Sequence, residues 1–486
     1  MSAEEIANKL WNLCNVLRDD GVTYHQYLNE LTYILFLKLS DVKGFSEHIP
    51  EEYRWKKFVD EHDNAEAFAK YREFLVTVSS KTTSDSIKEI YTDAATSLRK
   101  PVNFRTLVQA IDKLDWYEED DRDVMGDIYE SLLEKNAGEK KSGAGQYFTP
   151  RPLINIMVDL MVPKVGERWN DPAAGTFGFM ISADFYLKNK TNDYFKLTDK
   201  ERKFQEEEAF SGVELVGDAH RLALMNARLH GMESRIYRND TLTEFGKTLK
   251  NFDGVLANPP FGTKQGGERP TRDDFTFPTA NKQLNFLQHI YRSLKKDGKA
   301  RAAVVLPDNV LFEDGDGQKI RRDLMDKCNL HTILRLPTGI FYAAGVKTNV
   351  LFFTRGKTET GNTKQVWFYD MRTNAPSYGK RTPFEEKAFA DFVKAYTGGI
   401  TIDQVETNYD GTKKKKKRAK INDERWQSIS VETIAKKNYS LDLGLIADSS
   451  LTNSDDLDEP IDIAKQALQE LEAITKELNA MIKELQ

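Results

Sequence analysis

Two cysteines, Cys14 and Cys328, are all that the 486 residues contain. They cannot build a disulfide framework, and neither has companions at metal-ligand spacing, so no metal is implied. Both read as small buried hydrophobes. Long apolar runs are also missing. No stretch approaches the roughly 20 residues needed to cross a bilayer. The N-terminus, Met1-Ser2-Ala3-Glu4-Glu5, is acidic and lacks a signal-peptide pattern. No membrane association and a cytoplasmic location are therefore expected. There is no excess of basic charge either, the formal net charge being −6. That excludes a surface that grips nucleic acid everywhere, but it leaves room for a local basic patch. Gly-x-Gly-x-x-Gly and the Walker lysine loop are both absent, which argues against a nicotinamide cofactor or a nucleoside triphosphate.

What is present is enough chain for two or three domains and a sizeable core. Residues 1–140 form a helical N-terminal domain by pattern. Leu10, Leu17, Tyr27, Leu31, Ile34, Leu35 and Leu37 make apolar stripes with little alternation of period two. The aromatics among them, Trp11, Tyr24, Tyr27, Tyr33 and Phe36, are assigned to the core. A small, polar, glycine-rich linker follows at 136–146.

The pattern then changes. Between 141 and 400, short apolar runs alternate with helical stretches: 210–215 then 217–230, 254–257 then 281–295, 301–306 then 316–327, and 331–336. A last run at 348–354 is expected near the edge of the sheet. Strands alternating with helices predict an α/β fold with a doubly wound sheet. Residues 401–486 are more polar. Lys413–Lys417, Arg418 and Lys420 make a basic run, read as a solvated loop. Beyond Pro460, Ile461, Ala464, Leu468, Leu471, Ile474, Leu478, Met481 and Leu485 recur every three or four residues. This helical tail could pack on its own domain or dock on another subunit.

The chemistry concentrates at predicted strand ends, where open α/β sheets bind ligands. Asp171-Pro172-Ala173-Ala174-Gly175-Thr176-Phe177-Gly178 joins a strand to a helix with residues small enough for a ligand to approach the backbone. Glu214 ends the next strand, placed to accept from a ribose diol. It lies further past Gly178 than the roughly 20 residues of a dinucleotide fold, and the polar stretch 188–208 accounts for the difference as a longer helix or an insertion. Asp240 follows a third strand, where it could accept from an adenine amine. Asn258-Pro259-Pro260-Phe261 follows the apolar Val255-Leu256-Ala257. Two prolines stiffen that loop and remove two donors. An Asn side chain on it suits gripping an amine, and Phe261 offers a flat face to an aromatic ring. Upstream, Thr149 and Pro150 read as a helix start at 151.

Together these blocks resemble the modification (M) subunit of Type I restriction-modification systems, a gamma-arrangement N6-adenine DNA methyltransferase. The resemblance covers nearly the whole chain and rests on Gly145-Gln146-Tyr147-Phe148-Thr149-Pro150, Asp171–Thr176, Gly212–Leu215, Leu222–Asn226, Leu229-His230-Gly231, Asn239–Leu242, Asn258–Phe261, Leu336–Phe341 and Asn438–Asp442. It implies a Rossmann-like methyltransferase sheet and S-adenosylmethionine as cofactor. It implies transfer of a methyl group to the 6-amino group of a flipped-out adenine in double-stranded DNA. It also implies a specificity (S) subunit that reads the sequence, and a restriction (R) subunit in the full complex. Carried over to this chain, Tyr147, Phe148, Thr149, Asp171, Ala173, Gly175, Thr176, Gly178, Glu214, Asp240 and Asn258 would bind the cofactor. Asn258, Pro259, Pro260 and Phe261 would be catalytic. The loop 262–280 is expected to move on substrate binding. Two other readings compete. Glutamine N5 protein methyltransferases also use an Asn-Pro-Pro loop, although they are shorter and carry Tyr in the fourth place. A catalytically silent assembly subunit is the other.

Overall fold

The computed structural model describes residues 3–13, 24–42, 46–114, 131–132, 149–262, 268–341, 346–373, 375, 378, 382, 384–399, 418 and 420–442. The linker 136–146, Tyr147, Phe148, the lysines 413–417 and the C-terminal tail lie outside the described residues.

The N-terminal region is helical, with long helices at Tyr24–Val42, Asn64–Lys81 and Pro101–Asp112. Local chemistry sets their starts. Asp63 accepts from the amides of Ala65 and Glu66, and Pro101 occupies the first turn of its helix. Aromatic side chains fill the space between them. Tyr71 stacks on Phe104 with centroids 4.5 Å apart, and Tyr33 stacks on Tyr91. Tyr33 and Phe36 are buried, as the pattern indicated. Glu30 is buried among these rings, where it accepts from Tyr71, Thr96 and the amide of Ser97.

Among the described residues, nine strands form one sheet: β1 (Trp169–Asp171), β2 (Phe210–Glu214), β3 (Arg235–Arg238), β4 (Gly254–Ala257), β5 (Arg301–Pro307), β6 (Cys328–Arg335), β7 (Thr348–Arg355), β8 (Gln365–Asp370) and β9 (Trp426–Ser430). Their order is β3-β2-β1-β4-β5-β7-β6-β8-β9. The first five are mutually parallel, and β1 pairs with β2 on one side and β4 on the other. The chain order therefore reverses at β1/β4, and the crevice outside their carboxyl ends is where such sheets bind ligands. Helices Gly178–Thr191, Gly217–Leu229 and Lys282–Ser293 connect these strands. The polar stretch after 188 holds an added helix, Asp199–Glu207, with a capping box between Thr198 and Glu201. That insertion explains the late arrival of Glu214.

Three expectations are corrected. The run at 348–354 is not near an edge. As β7 it lies antiparallel between β5 and β6 and is buried along its whole length. An eight-residue strand without alternation means cover on both faces, which a central strand has and an edge strand lacks. Second, β9 extends the sheet into chain that composition assigns to the polar C-terminal region, pairing antiparallel with β8. Trp426 of β9 stacks on Trp367 of β8 at 4.8 Å. Third, Arg418 is buried rather than solvated. Its guanidinium lies 4.5 Å from the Tyr396 ring centroid, and its Nε donates to the Tyr396 carbonyl. A planar cation on an aromatic face is stable where a lysine would not be.

The helical domain rests on helix Gly217–Leu229. Arg221 donates to the carbonyls of Ile90 and Thr92 and lies over the Tyr33 ring.

Candidate active site

The carboxyl ends of β1, β2, β3 and β4 surround a cavity of about 600 Å³. Its wall includes Thr149, Asp171, Ala173, Gly175, Thr176, Gly178, Glu214, Asp240, Asn258 and Pro260. The tertiary fold thus brings together residues from five separate stretches that the sequence singles out. Pro259 is buried and Phe261 half-buried against the main core, and neither lines the cavity. The wall also holds residues the sequence reading did not select: Arg151, Ile154, Leu215, Val216, Glu268, Lys282 and Phe286. Leu215 and Val216 gave one readable signal, two apolar residues directly after a strand-end acid. Both are unusually exposed for their type.

The loop after β1 is shaped by backbone geometry. Gly175 and Phe177 have φ of 52° and 69°. The Ala174 amide donates to the Val213 carbonyl. Gly212 permits this approach, since a Cβ there would sit 2.9 Å from both the Ala174 Cβ and the Phe177 ring. A Cβ at Gly178 would press on Ile154 at 3.2 Å. Asn226, fully buried on helix Gly217–Leu229, donates to the Thr176 carbonyl at 2.9 Å and holds the loop from behind.

Three of the acids on the wall, Asp171, Glu214 and Asp240, are each braced by backbone. Asp171 Oδ1 accepts from the Ala173 amide at 3.0 Å. Glu214 accepts from Gly175 and Val216. Asp240 accepts from Leu242 at 2.8 Å. Burial pushes the Asp171 carboxyl up to about 8, with nearby Glu214 adding to the rise. Burial also raises Glu214. Acids kept in such a place, at a cost to the empty protein, suit a ligand that presents donors.

At the end of β4, Asn258 Nδ2 donates to Thr149 Oγ1 at 3.0 Å, while Asn258 Oδ1 is buried with no partner among the described residues. Thr149 does not cap the helix Arg151–Met161 as its position suggested. Pro150 takes the cap position and no side chain caps it, because the Thr149 hydroxyl is turned to Asn258. The exit of the Asn-Pro-Pro-Phe loop is pinned where the Gly262 amide donates to Gln283 Oε1 at 3.0 Å. No hydrogen bond to the Pro259 carbonyl occurs among the described residues. The Asn258 oxygen, without a partner among the described residues, is a bare acceptor at the cavity wall. Further along, Arg272 is buried, forked on Asp274 and bonded to the Thr241 carbonyl and His289. Part of the segment 262–280 is thereby tied to the chain just after Asp240.

A parallel α/β half with an acid at each of three strand ends, a glycine loop and a bare Asn acceptor defines a group-transfer enzyme acting on an amine. Comparison with known proteins gives the family. The N-6 DNA Methylase model matches residues 120–455, and the HsdM N-terminal domain model matches residues 6–114. The Type I restriction enzyme EcoKI methylase subunit of Escherichia coli K12 is 44% identical, with 100% of this chain and 96% of the relative covered. The StySPI methylase subunit of Salmonella potsdam has the same identity and coverage. Among solved structures, the EcoKI M protein is 40% identical over 99% of this chain and 96% of its own, with a TM-score of 0.55. A chain from a structure of a Type I restriction-modification system, concerned with complex assembly and conformational transition, is 27% identical, fully covered on both sides, with a TM-score of 0.74. The chain belongs to the N-6 DNA methylase family, among the methylase subunits of Type I restriction enzymes. It is a site-specific, adenine-directed DNA methyltransferase with the methyltransferase fold. The glutamine-methylating and silent-assembly readings are not favoured. No described helix is long and apolar enough to cross a membrane.

Proposed function

We propose that the cavity holds S-adenosylmethionine and that Asn258-Pro259-Pro260-Phe261 presents a flipped adenine to it. The observation that carries this reading is the buried Asn258 Oδ1, without a partner among the described residues, at the wall of a cavity that Asp171, Glu214 and Asp240 also line. The residues present fit the cofactor. The volume suits a nucleoside joined to an amino acid, and Gly175 and Gly178 put bare backbone on the cavity wall. Glu214 has lone pairs left for a ribose diol. Asp240 can accept from the adenine amine, with exposed Leu215 and Val216 offering apolar faces. Asp171 and the glycine loop border the amino-acid end. When bound, adenosylmethionine supplies a methyl group on cationic sulfur, which departs as a neutral thioether.

The protein's own contribution is to present the nucleophile. Asn258 Oδ1 and the Pro259 carbonyl accept the two protons of the target amine. Those bonds draw the nitrogen lone pair out of conjugation and aim it along the line of transfer, a positioning effect. No strong base is needed before attack, because the amine becomes acidic once methylated. Phe261, at the end of the same loop, would stack on the extruded ring. Pro260 keeps the loop rigid. Tyr147 and Phe148, outside the described residues, would close the amino-acid end beside Thr149.

The division of labour follows from the same reading. An S subunit supplies sequence recognition and an R subunit joins in the full complex, both acting on double-stranded DNA in the cytoplasm. The helical region 1–140, a catalytic region from 141 whose sheet runs on through β9, and a tail ending in a partner-docking helix are the proposed units. The test is methyl transfer from labelled adenosylmethionine to mixed-sequence DNA, by the chain alone and with the S subunit encoded beside it. Label at adenine N6 only with the partner is the expected result. Activity of the chain alone would overturn the division of labour, and label on protein instead of DNA would overturn the substrate.

A further inference from the structure

Gly262 follows the Asn-Pro-Pro-Phe loop with φ of 108°, a conformation that favours glycine. Both of its backbone groups are taken by the start of helix Lys282–Ser293. The Lys282 amide donates to the Gly262 carbonyl at 3.1 Å, and the Gly262 amide donates to Gln283 Oε1. An amide side chain serves that second bond in only one of its two orientations. Turned over, Gln283 would set Nε2 against the Gly262 N–H, donor against donor. Nothing in Gln283 itself selects the right orientation, so the groups behind it must.

The hydrogen bonds run on away from the loop. Gln283 Nε2 donates to Asn309 Oδ1 at 3.4 Å, and Asn309 Nδ2 donates to Glu313 Oε2 at 3.1 Å. The same carboxylate oxygen accepts from Asn281 Nδ2 at 2.7 Å, while Asn281 Oδ1 caps its helix at the Leu284 amide. Asn309 opens the short helix Asn309–Phe312 after β5, and Glu313 follows it. Glu313 is anchored in turn by buried Arg321. Its Nη1 donates to the Glu313 and Val310 carbonyls, and its Nε to the Tyr439 carbonyl.

The carboxylate gives this row its direction, because it can only accept. Facing Glu313, Asn309 must present Nδ2, which leaves Oδ1 for Gln283. Gln283 must then present Nε2, which leaves Oε1 for Gly262. Two amides in series, each able to lie either way, are oriented by one acid at the far end. Neither Gln283, Asn309 nor Glu313 lines the cavity.

We infer that Glu313, acting through Asn309 and Gln283, is a positioning residue for methyl transfer. It sets the acceptor that clasps Gly262, and the stiff Pro259-Pro260 link carries that constraint back to Asn258. The inference rests on the reading of Asn258–Phe261 as the catalytic loop given above. It adds a residue, from the chain beyond β5, that meets neither cofactor nor base.

The test uses the chain assembled with its S subunit and a duplex carrying the adenine mapped by the methyl-transfer assay. Glu313→Ala is expected to slow single-turnover methylation about tenfold through lost alignment. The KM for the donor should stay within about twofold of wild type. Asn309→Ala cuts the row one link nearer the loop and should give the same loss. Glu313→Gln, which keeps an acceptor oxygen, should recover most of the rate. The deciding variant joins Glu313→Ala to Gln283→Leu. If Glu313 acts through Gln283, the pair is no slower than Gln283→Leu alone. Losses that multiply overturn the inference, as does an unchanged rate in either alanine variant or a glutamine variant no faster than alanine. In each of those cases a wild type that methylates adenine leaves the reading of the catalytic loop standing. A wild type that transfers no methyl group to adenine overturns that reading and the inference together.

Discussion

Glu214 and Gly175 meet across the gap between β2 and the loop after β1, the Gly175 amide donating to Glu214 Oε2 at 2.9 Å. The other carboxylate oxygen accepts from the Val216 amide at 2.8 Å. One side chain thus braces the glycine loop and still has lone pairs facing the cavity. Glu214→Gln keeps one acceptor and swaps the other for a donor. It is expected to lose one backbone bond and to raise the dissociation constant for adenosylmethionine by about tenfold to a hundredfold, one to two charge-assisted bonds' worth. Calorimetric titration checks this, and unchanged affinity would remove Glu214 from the cofactor site.

On the proposed reading, Asp171 is expected to tie cofactor affinity to pH. Its carboxyl is pushed up to about 8 in the folded protein, against roughly 3.9 in an unfolded chain. Between those values the native state holds a proton that the unfolded state has lost. Native stability therefore falls as pH rises toward 8 and levels off above it. Asp171→Asn removes that loss. The variant's melting temperature at pH 8 is expected to exceed the wild type's by about 1–4 °C, while its cofactor affinity falls. Wild-type affinity should weaken as pH drops below 8. A variant that melts lower than wild type at pH 8 contradicts the sign.

Asn258→Ala deletes the free acceptor and leaves the cavity acids in place. Turnover is expected to fall by about a hundredfold to a thousandfold, the usual cost of one preorganised polar contact to the reacting group. Cofactor affinity should change by less than about threefold. Single-turnover methylation alongside cofactor titration separates the two, and equal losses in both would mean that Asn258 mainly binds cofactor.

Gln283 is buried and supplies the acceptor for the Gly262 amide. Gln283→Leu frees the end of the Asn-Pro-Pro-Phe loop. A drop in kcat of about tenfold to a hundredfold is expected from the lost alignment, with little effect on the KM for the donor. Full turnover in this variant would show that the prolines alone hold the loop.

Trp426 sits beyond the compositional boundary at 400 but stacks on Trp367 within the sheet. Trp426→Ala should cost about 3–5 kcal/mol, as for other large-to-small core changes. Denaturant melts measure it. A loss under 1 kcal/mol would mean that β9 is dispensable to the fold.

Much of the site was legible in the chain because its parts are local. Glu214 and Asn258 each close an apolar run, while Asp171 opens a glycine loop and Asp240 a turn, and these positions are read from local pattern and turn residues without knowledge of the tertiary structure. Leu215 and Val216 were missed because apolar residues after a strand look like more strand. Arg418 was misjudged because a lysine run signals solvent, whereas its partners Tyr396 and Trp426 come from other elements. The strand at 348–355 was misplaced because a continuous apolar run states burial and not neighbours.

The sequence by itself determined the family, the helical start, the α/β alternation and the identity of the acids and the Asn-Pro-Pro-Phe loop. Each of these is written in short stretches whose chemistry acts within a few residues. Only the tertiary structure decided the sheet order, the central place of β7, the return of β9 and the bond from Asn258 to Thr149. Those depend on which distant segments share burial and which donor finds which acceptor. Such pairings are settled by the packing of the whole chain, because a buried polar group must take whatever partner the fold brings within reach.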